Sequence, residues 1–143
     1  MSCDVKALFF QVTHKALKPK KIIQLAQEHF DKKEALLIRL PNQQSVEYVD
    51  LLLWRSPVDS FLPHIATQKR CSDLIVLTQH STNLNGAKKV LNLCPEPIIE
   101  ESSLFLKIYE FEDLSSTHNH QQAQIKYKAY KEKGFSIISL GLN

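Results

Sequence analysis

Glycine is the most telling scarcity in this chain of 143 residues: Gly86, Gly134 and Gly141 are the only three. A loop that cradles phosphate needs closely spaced glycines, so that backbone N–H groups can approach the anion. Neither GxGxxG nor GxxxxGK(S/T) occurs. This argues against a phosphate-loop NTPase or dinucleotide fold, and predicts no ATP hydrolysis and at most weak nucleotide binding. Cysteine is also sparse, with Cys3, Cys71 and Cys94 forming an odd set without a CxxC pair. That rules against a disulfide framework and points to a reduced, cytoplasmic protein. No apolar run reaches the length of a transmembrane helix, so no membrane partner is expected. The opening MSCDVKALFF places an acid before its short apolar run and offers no small-residue cleavage site, unlike a signal peptide. HExxH, GxSxG and kinase-type signatures are absent. A strong charge excess is missing too: 18 Lys and Arg against 15 Asp and Glu give +3, too mild to coat nucleic acid.

What is present is a hydrophobic content of 43%, enough for a core at a length typical of one domain, residues 1–143. Val5–Val12, Ala35–Leu40, Asp73–Thr78, Lys89–Leu93, Leu104–Phe111 and Phe135–Leu140 are apolar runs read as strands. Pro19–Lys32, Ser45–Trp54 and Leu114–Lys133 carry helical periodicity, and the cap formers Ser115, Ser116 and Thr117 allow the last to start after Ser115. Pro41-Asn42 reads as a stop followed by a cap, and Glu96–Ser103 as a short helix. Alternation of the two patterns predicts an α/β fold: a single three-layer domain, with a mostly parallel central sheet and helices on both faces.

The charge is concentrated. Within Leu114–Lys133 the cations Lys126, Lys128, Lys131 and Lys133 face one acid, Glu132, so 4 − 1 = +3 equals the charge of the whole chain, 18 − 15 = +3. Residues three and four apart share a helix face. His120, Gln124, Lys128 and Lys131 therefore form one row, beside a strip of Ala123, Tyr127 and Tyr130. Gly134 suits the C′ position that ends the helix. On pattern alone this is either a solvated face or a dock for an acidic ligand with an apolar anchor.

Other chemistry is thin. His118 and His120 could supply two metal nitrogens, but i, i+2 residues on a helix point apart, and no metal or other cofactor is expected. Cys94 reads as a core thiol. Glu100-Glu101 and Glu110, Glu112 and Asp113 are paired acids of the kind found on an edge strand and its exit. Two prolines break the segment after Trp54, the only tryptophan, which must bury its aromatics or offer them to a partner.

Two stretches resemble one family. Leu53-Trp54 at a helix end leads into Ser60-Phe61-Leu62-Pro63-His64. Tyr127-Lys128-Ala129-Tyr130-Lys131 is followed by Gly134-Phe135. Their order and spacing, and the chain length, are similar to the chi subunit of bacterial DNA polymerase III. The resemblance implies a nucleotide-binding-like fold without a phosphate loop, and a non-catalytic accessory subunit of the clamp loader. It implies that Tyr127, Lys128 and Lys131, with Gln124 and His120 in the same row, receive the acidic C-terminal tail of the single-stranded-DNA-binding protein. It also implies that Trp54 and Phe61 receive the psi subunit or a competing helicase, with DNA engaged only indirectly. Gln124 stands where the family often has arginine, and His120 where lysine can occur. Lys131 replaces a more usual arginine and loses bidentate carboxylate recognition. The alternatives are a direct single-stranded nucleic-acid binder using the same helix, and an enzyme with a degenerate nucleotide site.

Overall fold

Among the described residues, seven strands form one all-parallel sheet in the order β3-β4-β2-β5-β6-β1-β7. They are β1 (Lys6–Val12), β2 (Leu36–Arg39), β3 (Ile65–Ala66), β4 (Ile75–Thr78), β5 (Lys89–Asn92), β6 (Lys107–Asp113) and β7 (Ser136–Gly141), with helices α1 (Leu17–Asp31), α2 (Gln43–Arg55) and α3 (Thr117–Glu132). The structure, a computed structural model, describes residues 5–55, 62–80, 82–99 and 105–141. Cys3, Phe61, Glu100 and Glu101 lie outside the described residues, as does the end of the expected 96–103 helix. Residues 96–99 are not helical.

The continuous apolar runs have a simple cause. A parallel strand covered on both faces must be apolar on both. In β1, Ala7 and Phe9 join the core under α3, while Phe10 and Val12 join the core under α1 and α2. The first core takes Ile22, Leu25 and Ala26 from α1, and Val46, Val49 and Leu53 from α2. The second takes Tyr130 and Phe135, closed by Leu84, Ala87, Ile98 and Phe105 from the connecting segments. The expected three layers are present, with helices on both faces.

Local signals account for the helix ends. Asn42 Oδ1 accepts from the Ser45 N–H at 2.8 Å, as its place before α2 predicts. Pro19 sits third in α1, where no intrahelical N–H is required. After α1, Lys33 adopts φ +55°, and Glu34 N–H reaches back to the His29 carbonyl.

Three expectations need correction. The strand predicted over Leu104–Phe111 starts at Lys107, because Leu106 and Lys107 both donate to the Lys88 carbonyl and Leu106 stays outside the ladder. That strand lies between β5 and β1, so Glu110 is not on an edge. The two-residue β3 has no counterpart in the sequence reading. At the other margin, β7 pairs only with β1 among the described residues; it carries no charge and exposes Ile138 and Leu140.

Candidate partner-binding surface

Helix α3 is fixed at both ends. Ser116 is its N-cap and accepts from the Asn119 N–H at 3.1 Å. At the C-terminus Gly134 takes φ +84°, donating to the Lys131 carbonyl while Phe135 donates to that of Tyr130. These are the paired bonds of a Schellman motif, completed by the Phe135 ring stacked on Tyr130 at 5.3 Å.

Beneath the helix lies a buried polar cluster that sequence reasoning missed. Glu110 is fully buried. Its Oε1 accepts from Lys126 Nζ at 2.8 Å, and its Oε2 accepts from Asn92 Nδ2 at 2.8 Å and from the Tyr130 hydroxyl. Lys126 also donates to the Cys94 carbonyl, and the Tyr130 oxygen accepts from the Ile98 N–H. Burial pushes the Glu110 carboxyl up, and the Lys126 ammonium beside it acts in the opposite direction. Tyr130 is pushed far up, first by burial and then by the Glu110 charge. Burial raises the Cys94 thiol as well, leaving it a core group rather than a nucleophile.

This cluster corrects two assignments. Lys126 belongs to the interior, so the exposed charge of the helix end is Lys128, Lys131 and Lys133 against Glu132, 3 − 1 = +2. Ala123 and Tyr130 are buried, so the aromatic strip is a packing seam with Tyr127 at its outer margin. The predicted row does face outward: His120, Gln124, Lys128 and Lys131 are all exposed. Tyr127 is 42% exposed, with its ring 6.0 Å from Phe9. Ile125, also exposed, adds apolar surface one turn before Lys128.

Trp54 lies on the opposite side of the sheet, at the end of α2. It is 46% exposed, and its ring packs 4.2 Å from that of His64. His64 is buried and bridges the Leu62 carbonyl and the Asp50 carboxylate. Tyr48 and Leu51 are exposed too, and with Trp54 they form an i, i+3, i+6 apolar row. That spacing is visible in the sequence beside the inward stripe of Val46, Val49 and Leu53. His118 and His120 are exposed, and among the described residues no three His, Cys, Asp or Glu side chains group as metal ligands.

Fold and surface together define a class: a three-layer, all-parallel α/β domain with a rigid basic helix on one face and an aromatic row on the other. A family model of the DNA polymerase III chi subunit, HolC, matches residues 5–138. The chain belongs to that family, as the two sequence motifs suggested. The crystal structure of T4 UvsW superposes with a TM-score of 0.69 at 9% identity, over 97% of this chain and 41% of that one. At that identity the likeness concerns the fold alone. Comparison with curated proteins gave no match. No helix among the described residues is long and apolar enough to cross a membrane.

Proposed function

We propose that this chi-family chain is a non-catalytic accessory subunit of the replicative clamp loader. It joins the loader to single-stranded-DNA-binding protein by holding that protein's acidic C-terminal tail on α3. The observation that carries the reading is the exposed row of Gln124, Lys128 and Lys131 beside the half-exposed Tyr127 ring, on a helix locked at both ends. Carboxylates of the tail meet the lysines, and its terminal ring packs beside Tyr127. Exposed lysine pairs contribute roughly 0–1 kcal/mol each, so the ring supplies most of the affinity, and charge supplies rate and salt sensitivity. Trp54 and its neighbours on α2 form a second surface, for psi or a competing helicase. Direct nucleic-acid binding is less favoured, because Tyr130 is buried and only +2 of net charge remains on the helix end.

The test is fluorescence anisotropy of a labelled acidic peptide ending in phenylalanine, at two salt concentrations. The expected dissociation constant is micromolar, about −7 to −8 kcal/mol. Lys128→Glu should abolish binding while leaving the circular dichroism spectrum intact, and removing the peptide's terminal ring should do the same. Wild-type binding by both Lys128→Glu and Tyr127→Ala would refute the assignment.

A further inference from the structure

A cleft of about 480 Å³ opens at the carboxyl ends of β2, β5 and β6, between the first turns of α1 and α2. Its volume falls within the range of small-molecule sites, roughly 300–1,000 Å³. Its position also matters. The chain leaves β1 through α1 on one face of the sheet and leaves β6 through α3 on the other, and these strands are neighbours. Winding therefore reverses beside the cleft, and open α/β sheets hold ligands at the carboxyl ends where it reverses.

The lining divides into an apolar floor and a polar rim. Ile22, Leu40, Val49 and Leu93 form the floor. Lys15 and Lys18 stand on the rim with Asn42, Gln44, Ser45 and Tyr48. Lys18 is partly buried, and burial holds its pKa below the ordinary lysine value. Its ammonium lies 5.4 Å from the centre of the Phe111 ring, and no described residue accepts a hydrogen bond from it. The nearby carboxylate is already committed: Asp113 Oδ1 accepts from the Ser115 N–H and hydroxyl, and Oδ2 from Asn119 Nδ2. A partly buried cation with no hydrogen-bonded carboxylate thus stands on a ligand-sized cleft that Asp113 also lines, with the Asp113 and Glu110 charges both acting on it. Asn42 uses its side-chain oxygen to cap α2, which leaves its amide N–H groups available. The Tyr48 ring is mostly exposed at the mouth.

We infer that this cleft binds a small molecule pairing a single anionic group with a flat ring, of the size of a nucleoside monophosphate. Lys18 and Lys15 hold the anion, Tyr48 covers the ring, and the Asn42 and Gln44 amides meet its polar edge. Phosphate and carboxylate share this chemistry. With no glycine cradle, the site gains nothing from a second or third phosphate, so affinity is modest and independent of Mg²⁺. The inference stands apart from the tail surface on α3.

The experiment is an NMR titration of the isotope-labelled full chain with AMP, adenosine, inorganic phosphate and phenylacetate. AMP should give saturable amide shifts at residues 15–19 and 42–48, with a dissociation constant on the order of 0.1–1 mM. Adenosine and phosphate alone should bind at least ten-fold more weakly. Lys18→Met should weaken AMP about ten-fold without changing adenosine, and Lys15→Met provides a second variant if the first folds poorly. Phenylacetate binding at the same residues more tightly than AMP would support the site and identify the anion as a carboxylate. Absence of saturation by both ring anions at about 10 mM would overturn the inference. So would shifts confined to α3, or AMP affinity unchanged in both lysine variants.

Discussion

Replacing Lys126 with methionine tests the cluster on which α3 rests. Methionine retains most of the apolar stem and removes only the ammonium. Glu110 then keeps two donors, the Tyr130 hydroxyl and Asn92 Nδ2, and loses the one cation bonded to it among the described residues. The Cys94 carbonyl loses a donor as well. Removing one partner of a buried ion pair costs about 3–5 kcal/mol, because the other charge is left in a medium that cannot solvate it. Domains of this kind have about 5–15 kcal/mol in total, so the loss should be large and readily measured. Protonation limits it. Burial already raises the Glu110 pKa, and removing Lys126 takes away the strongest opposing influence. A neutral Glu110 needs no counter-charge, so the deficit should shrink as pH falls and grow as pH rises. Urea denaturation followed by far-ultraviolet circular dichroism at pH 5, 7 and 8 reads this out. Glu110→Gln combined with Lys126→Met should recover much of the loss. A deficit below about 1 kcal/mol at pH 7, unchanged with pH, would refute the reasoning.

Two further outcomes follow from local geometry. His29 is buried, with Nδ1 3.0 Å from the Glu34 carbonyl and Nε2 3.1 Å from the Tyr109 hydroxyl, and burial lowers its pKa below the ordinary 6.5. The unfolded chain therefore takes up this proton first: the stability is present above about pH 6.5 and is lost as pH falls through the folded value. Melting temperatures between pH 7.5 and 5 should fall less steeply in His29→Gln. Lys33 holds φ +55° at the end of α1, a conformation costing a non-glycine residue roughly 1–2 kcal/mol. Lys33→Gly should raise the melting temperature by about 2–4 °C in calorimetry, the gain being reduced by glycine's greater freedom in the unfolded chain.

Much of the fold was legible because strands buried on both faces must be apolar throughout, and five such runs coincide with strands, β6 starting three residues later and ending two residues later than expected. The two-residue β3 is too short to carry a period. That His120, Gln124, Lys128 and Lys131 share one face followed from helical spacing. The inward turn of Lys126 did not, because spacing defines which residues share a face without saying which face meets the sheet. The apolar residues of α3 do not settle it either: Ala123 and Tyr130 are buried while Ile125 and Tyr127 are exposed. The missing datum was Glu110. An acid in the middle of an apolar strand signals a buried counter-charge, and Lys126, sixteen residues later, supplies it.

The place of β1 in the sheet bears on how the protein is made. Lys6 aligns with Lys107 on one side and with Ser136 on the other, separations of 107 − 6 = 101 and 136 − 6 = 130 residues. β2, β4 and β5 are nearer neighbours and can pair while the chain is still being synthesised. β1 cannot. At about 5–20 residues per second, both of its hydrogen-bonding edges wait roughly 5–25 s on the ribosome for their partners. Such long-range parallel pairing is also slow in itself. The edges of β1 are therefore unpaired for most of translation, and the strand is locked into the sheet only when the C-terminal part of the domain has been made.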